Sequence, residues 1–210
     1  MTSRIAIQRM ATILKFPAQA PTKFGFKRVS PRRRRDDENQ LDLFVPNEGK
    51  ILRLPTGLSA FEEALSMEER GDEQAAIAMY GKAITEGDSV ADSHCNLGVL
   101  QSQRGETAAA FDSFKNALKQ DQQHWETHYN IGNLYFDAED YRPARLHYEV
   151  AAEVQPEFRN IFYNLGLVLA IQEEVHAAIE ALSRYRELAP DGEAGAAADL
   201  LETLRKSLEG

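Results

Sequence analysis

The 210-residue sequence holds a single cysteine, Cys95, and a single tryptophan. One thiol excludes an intrachain disulfide framework and a cysteine-based metal cluster, and it fits a reducing compartment. No apolar run approaches the roughly 18 residues that a membrane span needs, and the N-terminus lacks the continuous apolar core of a secretory signal. The expectation is a soluble, cytoplasmic protein that does not contact membrane. The acid-free, Arg-containing first fifteen residues would also suit an organellar transit peptide, although a basic tail explains them as well. Acidic residues are missing from the first 35 positions, which carry ten Lys or Arg, leaving 14 basic residues against 33 acidic ones in the remainder. A basic arm and an acidic body are therefore separate units. Also missing are a Gly-rich phosphate loop, a serine-nucleophile motif and an acidic metal motif, so neither an enzyme nor a cofactor is expected.

What is present is a period. In rows of 34 starting at Gly57, Ala91, Trp125 and Arg159, Ala76, Ala110, Ala144 and Ala178 form one column, and Tyr80, Phe114, Tyr148 and Leu182 another. A third column runs Ala83, Ala117, Ala151 and is broken by Tyr185; a fourth runs Ala64, Gly98, Gly132, Gly166. Each row carries two apolar stripes at helical spacing, split by Gly71-Asp72, Gly105-Glu106, Glu139-Asp140 or Glu173-Glu174, so each row is a helix hairpin. Glycine inside a helix costs about 1 kcal/mol relative to Ala, and its return at one phase predicts a close approach of two helices there. The alanine columns would let the second helix enter that gap, with the Tyr/Phe/Leu column filling the space between hairpins. Pro156 and Pro190 stop the second helix in the last two rows, where Asp88 and Gln122 stand in the first two. The stretch after Pro190 reads as one more amphipathic helix, which caps the stack.

These columns resemble the tetratricopeptide repeat, most closely in the third row with Ile131-Gly132, Tyr135, Tyr141, Ala144, Tyr148, Ala151 and Pro156. The resemblance covers about residues 57–190. It implies an all-α, right-handed superhelix of four hairpins (rows 57–90, 91–124, 125–158 and 159–192) with a capping helix over 193–210. It also implies a concave groove, lined by the first helix of each hairpin, that binds a partner protein or peptide rather than catalysing a reaction. Row position five then gives Phe61, Cys95, Tyr129 and Tyr163 to the groove, and position six gives Glu62, Asn96, Asn130 and Asn164, with Asn133 at position nine. Asparagine offers a donor and an acceptor and can bond the backbone of an extended peptide whatever its sequence. The same column serves equally well for bonding between repeats. The groove positions two, five and six carry no Lys or Arg, so an acidic, chaperone-like peptide tail is not an expected ligand, whereas a basic or apolar one, the protein's own arm included, is.

The histidines and tyrosines of residues 125–156 superficially resemble a catalytic cluster. Tyr135, Tyr141 and Tyr148 nevertheless fall at packing positions of the repeat, and His94 and His128 sit one repeat apart as half-buried packing residues. His124 and His128 have a chelating spacing but no third ligand, and Cys95 near His94 and His128 has no oxyanion-stabilising loop.

Residues 1–56, the arm and its linker, are rich in Pro and cations and read as largely disordered. Arg32, Arg33, Arg34 and Arg35 are candidates for sequence-independent contacts to nucleic acid, or the arm folds back on the acidic superhelix of its own or a neighbouring chain. The segment 41–55 would allow a short hairpin packed on the first repeat. At its start, Gln40, Leu41, Asp42, Leu43 and Phe44 resemble the linear motif by which bacterial replication and repair proteins bind the sliding clamp. That motif implies a DNA-associated adaptor as the alternative to a general interaction scaffold.

Overall fold

A computed structural model of the chain describes residues 23–30, 57–189 and 195–209. Arg32–Arg35, Gln40–Phe44, the possible hairpin and Pro190 lie outside the described residues.

Nine helices and no strand occur among the described residues: α1 Ala60–Glu69, α2 Glu73–Glu86, α3 Val90–Gln103, α4 Thr107–Gln120, α5 Trp125–Asp137, α6 Tyr141–Val154, α7 Arg159–Ile171, α8 Val175–Leu188 and α9 Gly195–Leu208. They pair as α1·α2, α3·α4, α5·α6 and α7·α8, and each hairpin packs on the next through consecutive helices, with α9 against α8. None is long and apolar enough to cross a membrane.

Local chemistry sets the helix ends. Ser59 and Glu62 form a reciprocal capping box at the start of α1, and Asp88, which stands where the third row has proline, accepts the Phe61 amide at 2.9 Å. The turn inside each hairpin is made by one residue in the left-handed region: Gly71 and Gly105, each with φ 77°, then Glu139 with φ 59° and Glu173 with φ 63°. These are the first members of the four breaker pairs. The same backbone turn is therefore made at low cost twice, and with a strained glutamate twice.

The glycine column does what the period requires. A Cβ on Gly98 would meet the Phe114 ring at 2.6 Å, on Gly132 the Tyr148 ring at 2.6 Å, and on Gly166 Leu182 Cγ at 2.6 Å. In each case the large residue lies over the glycine of its own hairpin. The Tyr/Phe/Leu column, expected to fill the space between hairpins, thus also packs within each hairpin: the bulky side chain needs a gap on the facing helix, and the glycine supplies it. Ala76, Ala110, Ala144 and Ala178 are fully buried, as are Ala197, Leu200 and Leu204 on the inner face of α9.

Candidate functional site

Helices α3, α5 and α7 each place one asparagine at the same repeat position, and all three are fully buried. They are covered by Lys23–Ser30, an extended stretch of the arm. Asn164 Oδ1 accepts from the Phe24 amide at 2.8 Å while its Nδ2 donates to the Phe24 carbonyl at 3.1 Å. Asn130 holds Lys27 in the same way, at 2.7 Å on both sides. Asn96 holds Val29 at 2.7 and 3.0 Å. A carboxamide that bonds both backbone groups of one residue imitates the edge of a strand. The segment runs antiparallel to the repeats, its N-terminal end on the fourth hairpin and its C-terminal end on the second. The clamped residues are spaced by three and then two positions, and the odd step is bridged by Asn133 Nδ2, which donates to the Gly25 carbonyl at 3.1 Å.

Tyrosines fix the carboxamides. Tyr80 accepts from Asn96 Nδ2 at 3.1 Å and donates to Glu68 Oε2 at 2.6 Å. Tyr148 donates to Asn133 Oδ1 at 2.7 Å, and Asn164 Nδ2 reaches Asn133 Oδ1 at 2.9 Å and the Tyr129 hydroxyl at 3.1 Å. Burial pushes the Tyr129 and Tyr148 hydroxyls well above the usual phenol range. Burial, followed by the nearby Tyr185, raises Tyr163 to about 12. These rings therefore stay neutral, and the network is one of fixed dipoles. In the first hairpin the corresponding residue is Glu62, which is spent on the α1 capping box, so the asparagine series starts at α3.

Side chains of the segment enter four sockets. The Phe24 ring meets Tyr163 edge-on at 4.9 Å and Tyr185 at 5.8 Å between centroids. Val29, 1% exposed, joins the buried cluster that contains Phe61, Tyr80 and Val99. Lys23 pairs with Asp137 at 3.3 Å. Arg28 pairs with Glu68 at 3.2 Å and donates to Gln103 at 3.0 Å. Burial raises the Glu68 carboxyl, against the pull of the Tyr80 hydrogen bond and the Arg28 charge.

Phe61, Asn96, Tyr129, Asn130, Asn133, Tyr163 and Asn164, the groove residues read from the sequence, thus meet in one surface beneath the segment. Tyr185, Glu68, Gln103 and Asp137 were missed. Tyr185 did leave a signal: it breaks the column of Ala83, Ala117 and Ala151, and its ring is one of the two that meet Phe24.

The histidines are drawn apart. His124 is the N-cap of α5, with Nδ1 3.2 Å from the Thr127 amide nitrogen and Nε2 2.9 Å from Asp92. His128 instead has Nδ1 3.0 Å from His147 Nδ1 and Nε2 3.0 Å from the Gln122 carbonyl. The imidazole beside Cys95 is that of His124, and both residues are enclosed, at 0% and 1% exposure. Among the described residues no group of three or more His, Cys, Asp or Glu is placed to hold a metal ion.

Stacked helix hairpins with a clamped extended segment define the class of helical-repeat proteins. Residues 91–124 and 129–193 match sequence profiles described as tetratricopeptide repeat, and the chain is a tetratricopeptide-repeat protein. No curated protein matches it. Among solved structures it is similar to pilF of Pseudomonas aeruginosa at 24% identity, covering 71% of this chain and 68% of that one with a TM-score of 0.62. It is similar to the MamA protein at 22% identity, with 71% and 86% covered and a TM-score of 0.55. The first tetratricopeptide domain of Spaghetti (RPAP3), solved with the HSP90 peptide SRMEEVD, aligns at 17% identity over 57% of this chain and 94% of that one, with a TM-score of 0.52. These likenesses establish the all-α repeat fold.

Proposed function

We propose that this protein is a non-catalytic interaction scaffold whose groove takes an extended peptide of a partner protein and grips it by its backbone. The observation that carries the reading is the repeated two-point clamp of Asn96, Asn130 and Asn164 on Val29, Lys27 and Phe24. A column used only for bonding between repeats would have no reason to present both carboxamide atoms to an extended chain. The solved peptide complex of a similar fold supports the mode of use. Its acidic ligand is not the one this groove favours, because Lys23 and Arg28 of the segment are met by the carboxylates of Asp137 and Glu68. The test is anisotropy of a labelled peptide spanning residues 21–32 against the full chain carrying Phe24→Ala and Val29→Ala in its own segment. Saturable binding that weakens at least about tenfold with Asn130→Ala is expected, since a buried backbone pair is left unsatisfied. Binding indifferent to Asn130 would contradict the reading.

The alternative reading, a DNA-associated adaptor, draws on the likeness of Gln40–Phe44 to a sliding-clamp motif and on the cationic run Arg32–Arg35. Its test is a clamp titration of a peptide spanning 36–48, with Leu43 and Phe44 changed to Ala in a second peptide. No binding, or binding that survives the substitution, removes it.

A further inference from the structure

We propose that Lys23–Ser30 is a built-in copy of the partner's recognition sequence: the partner is a basic extended peptide, and it binds by displacing this segment from the groove. The inference rests on the groove reading above and adds both the chemistry of the ligand and the competition for its place.

The partner's chemistry follows from the sockets. The clamps accept any backbone, so selection falls to side-chain contacts, four of them specific in chemistry, beside the packing of Phe26 on the cluster that holds Val29 and of Lys27 over Phe158. The Tyr163–Tyr185 pair takes an aromatic ring. The Asp137 carboxylate takes a cation one position before that ring, and Glu68 with Gln103 takes a cation four positions after it. The cavity that Val29 fills takes a β-branched residue five positions after the ring. A ligand with the pattern cation, aromatic, three residues, cation, Val or Ile satisfies all four. Gly25 is not part of the code, since a Cβ there meets nothing within 4 Å. An acidic peptide would set its carboxylates against Glu68 and Asp137, the two carboxylates that meet Arg28 and Lys23 of the segment.

The segment is held as a ligand is held. It contributes no helix or strand of its own, only Val29 of its eight residues is fully buried, and its hydrogen bonds to the groove pass through side chains of the helices. Residues 31–58 join it to α1, a contour of up to roughly 90 Å at about 3.3 Å per residue, enough for the segment to leave the groove while attached. A tethered occupant competes at an effective concentration on the order of millimolar, so it attenuates every external ligand without abolishing binding.

The test compares the full wild-type chain with the full chain carrying Phe24→Ala and Val29→Ala, each titrated with a fluorescein-labelled peptide spanning residues 21–32. Removing the two apolar anchors should tighten peptide binding at least about tenfold by weakening the tethered competitor. Arg28→Glu in the chain, which leaves both anchors in place, should tighten it by a smaller factor. Replacing Lys23, Lys27 and Arg28 of the peptide by Glu should weaken it at least about tenfold. Equal affinity for wild-type and double-variant chains overturns the displacement. Equal affinity for the native and the acidic peptide overturns the basic partner. Loss of the helical circular-dichroism signal in the double variant would make the segment a permanent part of the core and overturn the proposal too. Absence of binding to any chain, with helical signal intact, would defeat the underlying groove reading instead.

Discussion

At Gly98, Gly132 and Gly166 the facing side chain already occupies the place of a Cβ, and at Glu139 and Glu173 a side chain is carried through a backbone turn that disfavours it. The two situations predict opposite responses. Gly132→Ala drives a methyl into the Tyr148 ring and should destabilise the fold by about 1–3 kcal/mol, the range for overpacking. Glu173→Gly removes an exposed side chain from a left-handed turn that glycine makes in the first two hairpins, and should stabilise by roughly 0.5–1 kcal/mol. Urea denaturation of both variants checks the pair, and a reversed sign at either position would refute the packing or the strain argument for it. The glycine column was legible because a Gly in a helix must be explained by what faces it. The strained turns were legible only as breaks, since nothing about a glutamate announces a positive φ. The asparagine clamps were half legible: their chemistry fits a peptide backbone and bonding between repeats equally, and the asparagines do both, Asn96 reaching Val29 as well as Tyr80.

Within the α5–α6 hairpin, two imidazoles face each other at 3.0 Å with the Tyr135 ring stacked on His147. Burial, followed by the His128 charge, lowers His147 to about 4, and burial likewise lowers His128. Folded states that hold a histidine below its ordinary value of about 6.5 bind fewer protons than the unfolded chain. The pair's contribution to stability is therefore complete above about pH 6.5 and is lost as the pH falls toward 4. Thermal melts across that window should show a falling midpoint that flattens in His147→Gln, and an unchanged slope would show that the pair does not titrate with folding. Helix pairing was readable from the 34-residue period because each stripe has only one way to be buried. The His128–His147 contact was not, because His147 stands alone in its column, which holds Met79, Ser113 and Ala181 in the other rows.

The whole molecule divides its charge unevenly, with cations in the first 35 residues and an acidic excess beyond them. Residues 23–30 bring the two together, setting Lys23 and Arg28 against Asp137 and Glu68. Composition describes the arm as a segment unable to bury enough apolar surface alone; the surface for Phe24 and Val29 comes from the groove. Folding back was one of the alternatives that charge left open for the arm, and the register was not readable, because contacts to backbone leave no mark in the sequence of the chain being held. Amide hydrogen exchange of the full chain, resolved residue by residue by NMR, tests the clamp most directly. Phe24, Lys27 and Val29 donate to Asn164, Asn130 and Asn96 and should exchange slowly, and each substitution of one of these asparagines by Ala should release its own partner first. Exchange of all three amides at the rate of an unstructured peptide in the wild-type chain would contradict the account.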